Sequence, residues 1–105
     1  MWKDGVMGVR SRATAGGAQF GLAVSSSVVT LTVPSGAYCC GIYVRSNPVV
    51  FTTDGETDPT ATKGSQANAG SEISLNSRDE LLKARFIRQG SDATMDVEYF
   101  TDVSS

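Results

Sequence analysis

The chain has 105 residues, of which 40% are hydrophobic, 8% aromatic and 19% charged, with a formal net charge of −2. That is enough chain for one domain and too little for two, and the composition is that of a globular protein, not a disordered tail or a collagen-like fibre. With no histidine and only two cysteines, the usual Ser-His-Asp and Cys-His catalytic sets and a Cys/His zinc site are excluded.

Residues 1–17 are rich in Gly, Ala, Ser and Arg, with Trp2, Val6, Met7 and Val9 as apolar punctuation. No helical or strand period persists there, so they read as an extended arm that docks on a surface, with residues 18–105 forming the folded domain. Met1-Trp2-Lys3-Asp4-Gly5 lacks the apolar core of a secretory signal, and no run approaches the roughly 20 apolar residues of a membrane helix. Neither signal-directed export nor a membrane span is expected. Residues 1–50 carry Lys3, Arg10, Arg12 and Arg45 against Asp4, a net +3; residues 51–105 carry five basic and ten acidic side chains, a net −5. A basic arm ahead of an acidic body suits an acidic partner surface, although ordinary solvation is the simpler account. No Lys/Arg cluster is present to neutralise several phosphates, so nucleic acid is not an expected partner.

A weak strand at residues 19–24 comes first. From Ser27 the pattern sharpens: Val29, Leu31 and Val33 alternate with Val28, Thr30 and Thr32, the period-two pattern of a strand. Pro34-Ser35-Gly36 supplies a turn, because Pro presets φ and Gly tolerates a positive one. Tyr38-Cys39-Cys40-Gly41-Ile42-Tyr43-Val44 is a second strand, with Tyr38, Cys40, Ile42 and Val44 on the core face and Tyr43 outward. These two runs read as a hairpin. Adjacent cysteines on a strand point to opposite faces, predicting one buried and one peripheral thiol and no disulfide framework. A reducing site of synthesis fits that usage.

Asn47-Pro48 marks a turn, and Val49-Val50-Phe51-Thr52-Thr53 a third strand. Residues 54–70 are polar and predict a long surface loop with nothing apolar to bury, a second candidate contact surface. Asp54, Glu56 and Asp58 alternate there. A calcium loop of the EF-hand type needs Gly at the sixth place, where Pro59 sits, and Glu at the twelfth, where Ser65 sits. The carboxylates are expected to cap turns instead. Glu72-Ile73-Ser74-Leu75 is a short strand, and Ser77-Arg78-Asp79-Glu80 matches a capping box opening one helical turn between two sheets, with Leu81 and Leu82 as its apolar contacts. Arg85-Phe86-Ile87-Arg88 is a strand, Gln89-Gly90-Ser91-Asp92 reads as a hairpin turn, and Ala93, Met95, Val97 and Tyr99 alternate with Thr94, Asp96, Glu98 and Phe100. About seven strands and one helical turn predict an all-β fold, an antiparallel β-sandwich or flattened barrel.

Nothing in this inventory points to catalysis. A glycosidase needs a deep aromatic cleft that a chain of this size rarely builds, and Gly16-Gly17 lacks the Lys-Ser/Thr partner of a phosphate loop. A binding protein without metal or cofactor is expected. The candidate contact residues are Trp2, Met7, Arg10 and Arg12 in the arm and Asp54, Glu56, Asp58 and Lys63 in the loop. A glycan-binding sandwich is a second reading, for which Tyr43 is a thin platform.

Two segments carry a resemblance. Val50-Phe51-Thr52-Thr53-Asp54-Gly55, followed by Asp58-Pro59-Thr60, resembles a hairpin of chitobiase C-terminal-like β-sandwich modules and one of small virion proteins of tailed bacteriophages. Leu75-Asn76-Ser77-Arg78-Asp79-Glu80-Leu81, running into Arg85-Phe86-Ile87-Arg88-Gln89-Gly90-Ser91-Asp92-Ala93, is similar to the phage proteins alone. The resemblance implies a virion structural protein, a cement or decoration protein on the capsid exterior made in the host cytoplasm. It implies the major capsid protein or other virion proteins as partners and a homo-oligomer with a trimer favoured. That agrees with the charge and hydropathy, from which neither a nucleic-acid nor a membrane partner is expected. A head–tail connector, tail or fibre component is the alternative within that class. The resemblance transfers no individual binding residue.

Overall fold

The computed structural model describes residues 13–101. Their order is β1 (Ala13–Val24), β2 (Val29–Thr30), β3 (Cys39–Val44), β4 (Val49–Thr52), β5 (Ser65–Ala67), β6 (Glu72–Leu75), α1 (Arg78–Lys83), β7 (Arg85–Arg88) and β8 (Ala93–Thr101). The strands form two antiparallel four-stranded sheets, a first with order β1-β8-β3-β6 and a second with order β2-β7-β4-β5. The fold is the expected all-β sandwich.

Alternation decides what the sheets bury. Ala93, Met95, Val97 and Tyr99 of β8, Cys40, Ile42 and Val44 of β3, and Ile73 and Leu75 of β6 turn inward from the first sheet. They meet Val49 and Phe86 of the second sheet, with Leu31 and Leu81 closing the sides. Phe51 stacks on Phe86 at 5.9 Å between ring centroids. Each large apolar side chain so buried contributes about 1.5–3 kcal/mol, which is what holds two sheets of short strands together. Tyr99 is buried with its hydroxyl donating to the Gln19 side chain, and burial raises its phenol well above the ordinary range. A buried hydroxyl without such an acceptor would cost more than it contributes.

Several expectations change at this level. β1 already begins at Ala13 and pairs with β8, so residues 13–17 belong to the sheet and not to the arm. The run around Val29 and the run ending at Val44 do not form a hairpin: β2 lies in the second sheet and β3 in the first. The turn itself is present, with Ala37 N–H donating to the Pro34 carbonyl at 3.1 Å, but it carries the chain across the sandwich. Gln89-Gly90-Ser91-Asp92 likewise passes the chain from β7 in the second sheet to β8 in the first. Among the described strands, only β4 and β5 are consecutive and paired. A turn signal reports a reversal, and reversal within a sheet or between sheets about 10 Å apart looks the same in sequence.

Both thiols are buried, Cys39 at 2% exposure included, so no peripheral thiol exists. Tyr38 is exposed instead of lying on the core face, because β3 starts one residue later. The capping box forms with one shift: Ser77 Oγ accepts from Glu80 N–H at 3.2 Å, while the Glu80 carboxylate accepts from Asn76 N–H at 2.7 Å. Leu81 is buried but Leu82 points to solvent, since one short helix buries one stripe. The helix does bridge the two sheets, as expected, between β6 and β7.

Candidate functional site

A sandwich has two outer faces, and here they differ. On the second sheet Val49 and Phe51 pack inward, so Val50, Thr52 and their neighbour Arg85 point outward. Val50 is nevertheless only 2% exposed. The segment after β4 folds back over it. Arg85 reaches the Gly55 carbonyl and the Asp58 carboxylate, both at 2.7 Å, and Thr52 Oγ1 donates to the Thr57 carbonyl at 2.6 Å. Pro59 is fully buried, and Gly64 lies so close that a Cβ there would stand 2.8 Å from Val50 Cγ1 and from the Phe51 carbonyl oxygen. Gly64 also holds φ at 126°, a backbone region disfavoured for side chains.

The loop residues singled out from sequence therefore serve their own fold. Asp54 accepts from Thr57 Oγ1 at 2.6 Å and from the backbone N–H groups of Thr57 and Glu56. These bonds, the Thr57 hydroxyl first, lower its carboxyl to about 2. Glu56 is exposed and contributes its backbone to that turn. Asp58 forms an ion pair with Arg85, and Lys63 closes a small backbone bridge with Thr60 while its side chain faces solvent. The expectation of a loop with nothing to bury fails, because residues 65–67 form β5 and both Ala67 and Pro59 are buried. Trp2, Met7, Arg10 and Arg12 lie outside the described residues.

The outer face of the first sheet is closed at one end, where outward Cys39 is buried, but among the described residues no such cover lies over Gly41 and Tyr43. Register places Glu72, Tyr43 and Asp96 side by side across β6, β3 and β8, and Ser74, Gly41 and Glu98 in the next row. Gly41 has no side chain, so the second row is open at its centre. Phe20 of β1, 68% exposed, and Tyr43, 41% exposed, stand over that opening. Together they bound a shallow depression of about 320 Å³ whose charged walls are Glu72, Asp96 and Glu98, with Ile42, Ile73 and Ser74 also lining it. Large aromatics on a sheet normally turn inward, so two on one outer face are informative.

Phe20 owes its position to a bulge. Between Gln19 and Leu22, β1 advances three residues while β8 advances two. Gly21 takes the extra place at φ 69°, and its N–H donates to Asp96 Oδ1 at 2.9 Å. That bond is the chief reason the Asp96 carboxyl lies below its ordinary range; Arg45, 2.8 Å from Oδ2, adds to it. The Arg45 guanidinium also lies over the Tyr43 ring at 5.9 Å from its centroid, steadying the ring. Glu72 and Glu98 have no hydrogen-bonding or ionic side-chain partner among the described residues. The face thus offers two apolar rings and free carboxylates, a surface for apolar groups and cations.

Sequence reasoning reached Tyr43 but missed Phe20, Gly41, Glu72, Asp96 and Glu98 as a group. Its one signal was the polar side of the β8 alternation. Among the described residues, no group of three or more His, Cys, Asp or Glu side chains is gathered to hold a metal ion, and no helix is long and apolar enough to cross a membrane. No protein-family model, no curated protein and no solved structure matches the chain.

Proposed function

We propose that the chain is a non-catalytic structural component of a tailed-phage particle, a cement or decoration protein that joins virion subunits through the bare outer face of its first sheet. One observation carries the reading: the molecule spends a loop covering one outer face and leaves on the other an uncovered Phe20–Tyr43 pair ringed by carboxylates. Exposed apolar rings with a polar rim are the composition of a protein contact surface. The resemblance of Val50–Gly55 with Asp58–Thr60, and of Leu75–Leu81 with Arg85–Ala93, to small virion proteins supplies the biological setting. Repetition over many copies turns modest contacts into firm attachment. Co-sedimentation with phage shells tests it: the unaltered chain pellets with the particles, and a Phe20→Ala/Tyr43→Ala double variant of unchanged fold stays in the supernatant. Equal pelleting of both would remove the face from the function.

A second reading is glycan binding, favoured by Phe20 and Tyr43 flanking the floor at Gly41, since aromatic faces stack on pyranose rings and carboxylates accept from sugar hydroxyls. Binding on a glycan array that disappears with Tyr43→Ala would select it over the protein contact.

A further inference from the structure

We infer that the bare face of the first sheet receives residues 1–12 of a second copy of this chain. The inference rests on the reading of that face as a contact surface and names what covers it. The argument begins with charge. The face carries Glu72, Asp96 and Glu98 against Arg45, a net −2. Residues 1–12 carry Lys3, Arg10 and Arg12 against Asp4, a net +2. Glu72 and Glu98 are the carboxylates without ionic partners among the described residues, so cations brought to them displace no existing bond.

Apolar content matches too. The face exposes two aromatic rings over an opening, and residues 1–12 supply Trp2, Val6, Met7 and Val9. Leaving an indole and a thioether in water forgoes about 1.5–3 kcal/mol for each large side chain that could be covered. An extended segment of this length spans about 40 Å. Four strands are only about 15 Å across, so one segment can cross the whole sheet.

Geometry selects a second copy over the same one. β1 begins at Ala13, opposite Thr101, whereas Asp96 lies five residues further along β8, about 17 Å away. Folding back within one copy requires a reversal beside Ala13. A tight turn takes about four residues, which would hold Arg10 and Arg12 at the end of the strand and bring Lys3 alone to the carboxylates. A segment arriving from a neighbour needs no reversal and can place all three cations.

The chain reports on this contact directly, because Trp2 is its one tryptophan. Tryptophan emission of the full chain is measured across a dilution series, alongside mass by sedimentation equilibrium. The expected result is emission moving to shorter wavelength as concentration rises, in step with an increase in mass. Raising salt from about 0.05 M to about 0.5 M should weaken both, since screening shortens the reach of exposed charges. Glu72→Lys/Glu98→Lys should raise the concentration for half-association by about tenfold, a loss of about 1.4 kcal/mol. Lys3→Glu/Arg10→Glu/Arg12→Glu should do the same, and an equimolar mixture of the two variants should recover association, which excludes misfolding as the cause. A shifted emission independent of concentration means docking within one copy and overturns the inference. So does solvent-like emission at every concentration. If that occurs while co-sedimentation with shells still requires Phe20 and Tyr43, the inference falls and the proposed function stands.

Discussion

The two outer faces of this sandwich begin from similar strands and end in opposite conditions. On the second sheet, outward Val50 is sealed beneath residues 53–64, held by Arg85 and Thr52. On the first sheet, outward Tyr43 and Phe20 stay in solvent above the open row at Gly41. An apolar side chain on an outer face is thus either covered by the protein's own chain or left for something else to cover. The loop with the more conspicuous carboxylates belongs to the first case, and the functional candidate is the quieter face behind it.

Substitutions can break this contrast, starting with the largest effect. Val50→Asp should cost about 3 kcal/mol or more, because it places a charge beneath the loop without a partner; Tyr43→Asp, on the open face, should cost far less. Urea unfolding midpoints of the pair measure the difference, and equal losses would erase the distinction between the faces. Gly64→Ala should cost about 1–3 kcal/mol, since the new methyl group meets the Phe51 carbonyl and the backbone sits in the left-handed region. Thermal melts read it.

Arg85→Met comes next, at about 1 kcal/mol, through loss of the Gly55 and Asp58 contacts from a partly exposed side chain. Amide exchange should quicken over residues 53–64 and remain unchanged on the first sheet. Asp54 sharpens the same point by pH. Its folded carboxyl is lowered to about 2 from an ordinary value near 3.8, so the stabilisation it gives the loop is present above that ordinary value. It is lost as pH falls from about 4 through about 2. Carboxyl titration followed by NMR should show this midpoint, and Thr57→Val should raise it. The smallest effect on stability belongs to Glu98→Gln, within about 0.5 kcal/mol, as expected of an exposed side chain without a partner among the described residues. A large loss of melting temperature there would mean that the bare face is part of the fold's support.

The chain's own residues determined the helix and most of the strands, though not β5 or the first residues of β1. β-Branched and aromatic alternation around Cys40-Ile42-Val44, Val49-Val50-Phe51 and Met95-Val97-Tyr99, with Ser77 and Glu80 as a cap, is local chemistry that acts over a few residues. That is why the sandwich, the inward face of β8 and the helix between β6 and β7 could be read in advance. Pairing could not, because Pro34-Ser35-Gly36 and Gln89-Gly90-Ser91-Asp92 specify a reversal and leave its destination open. The candidate site depends on pairing: Glu72, Tyr43 and Asp96 are far apart in sequence and become neighbours only through the register of β6, β3 and β8. Phe20 joins them through a one-residue bulge at Gly21. Tertiary structure alone decided which outer face would be roofed, since covering Val50 required a loop long enough to return and an outward Arg85 to hold it.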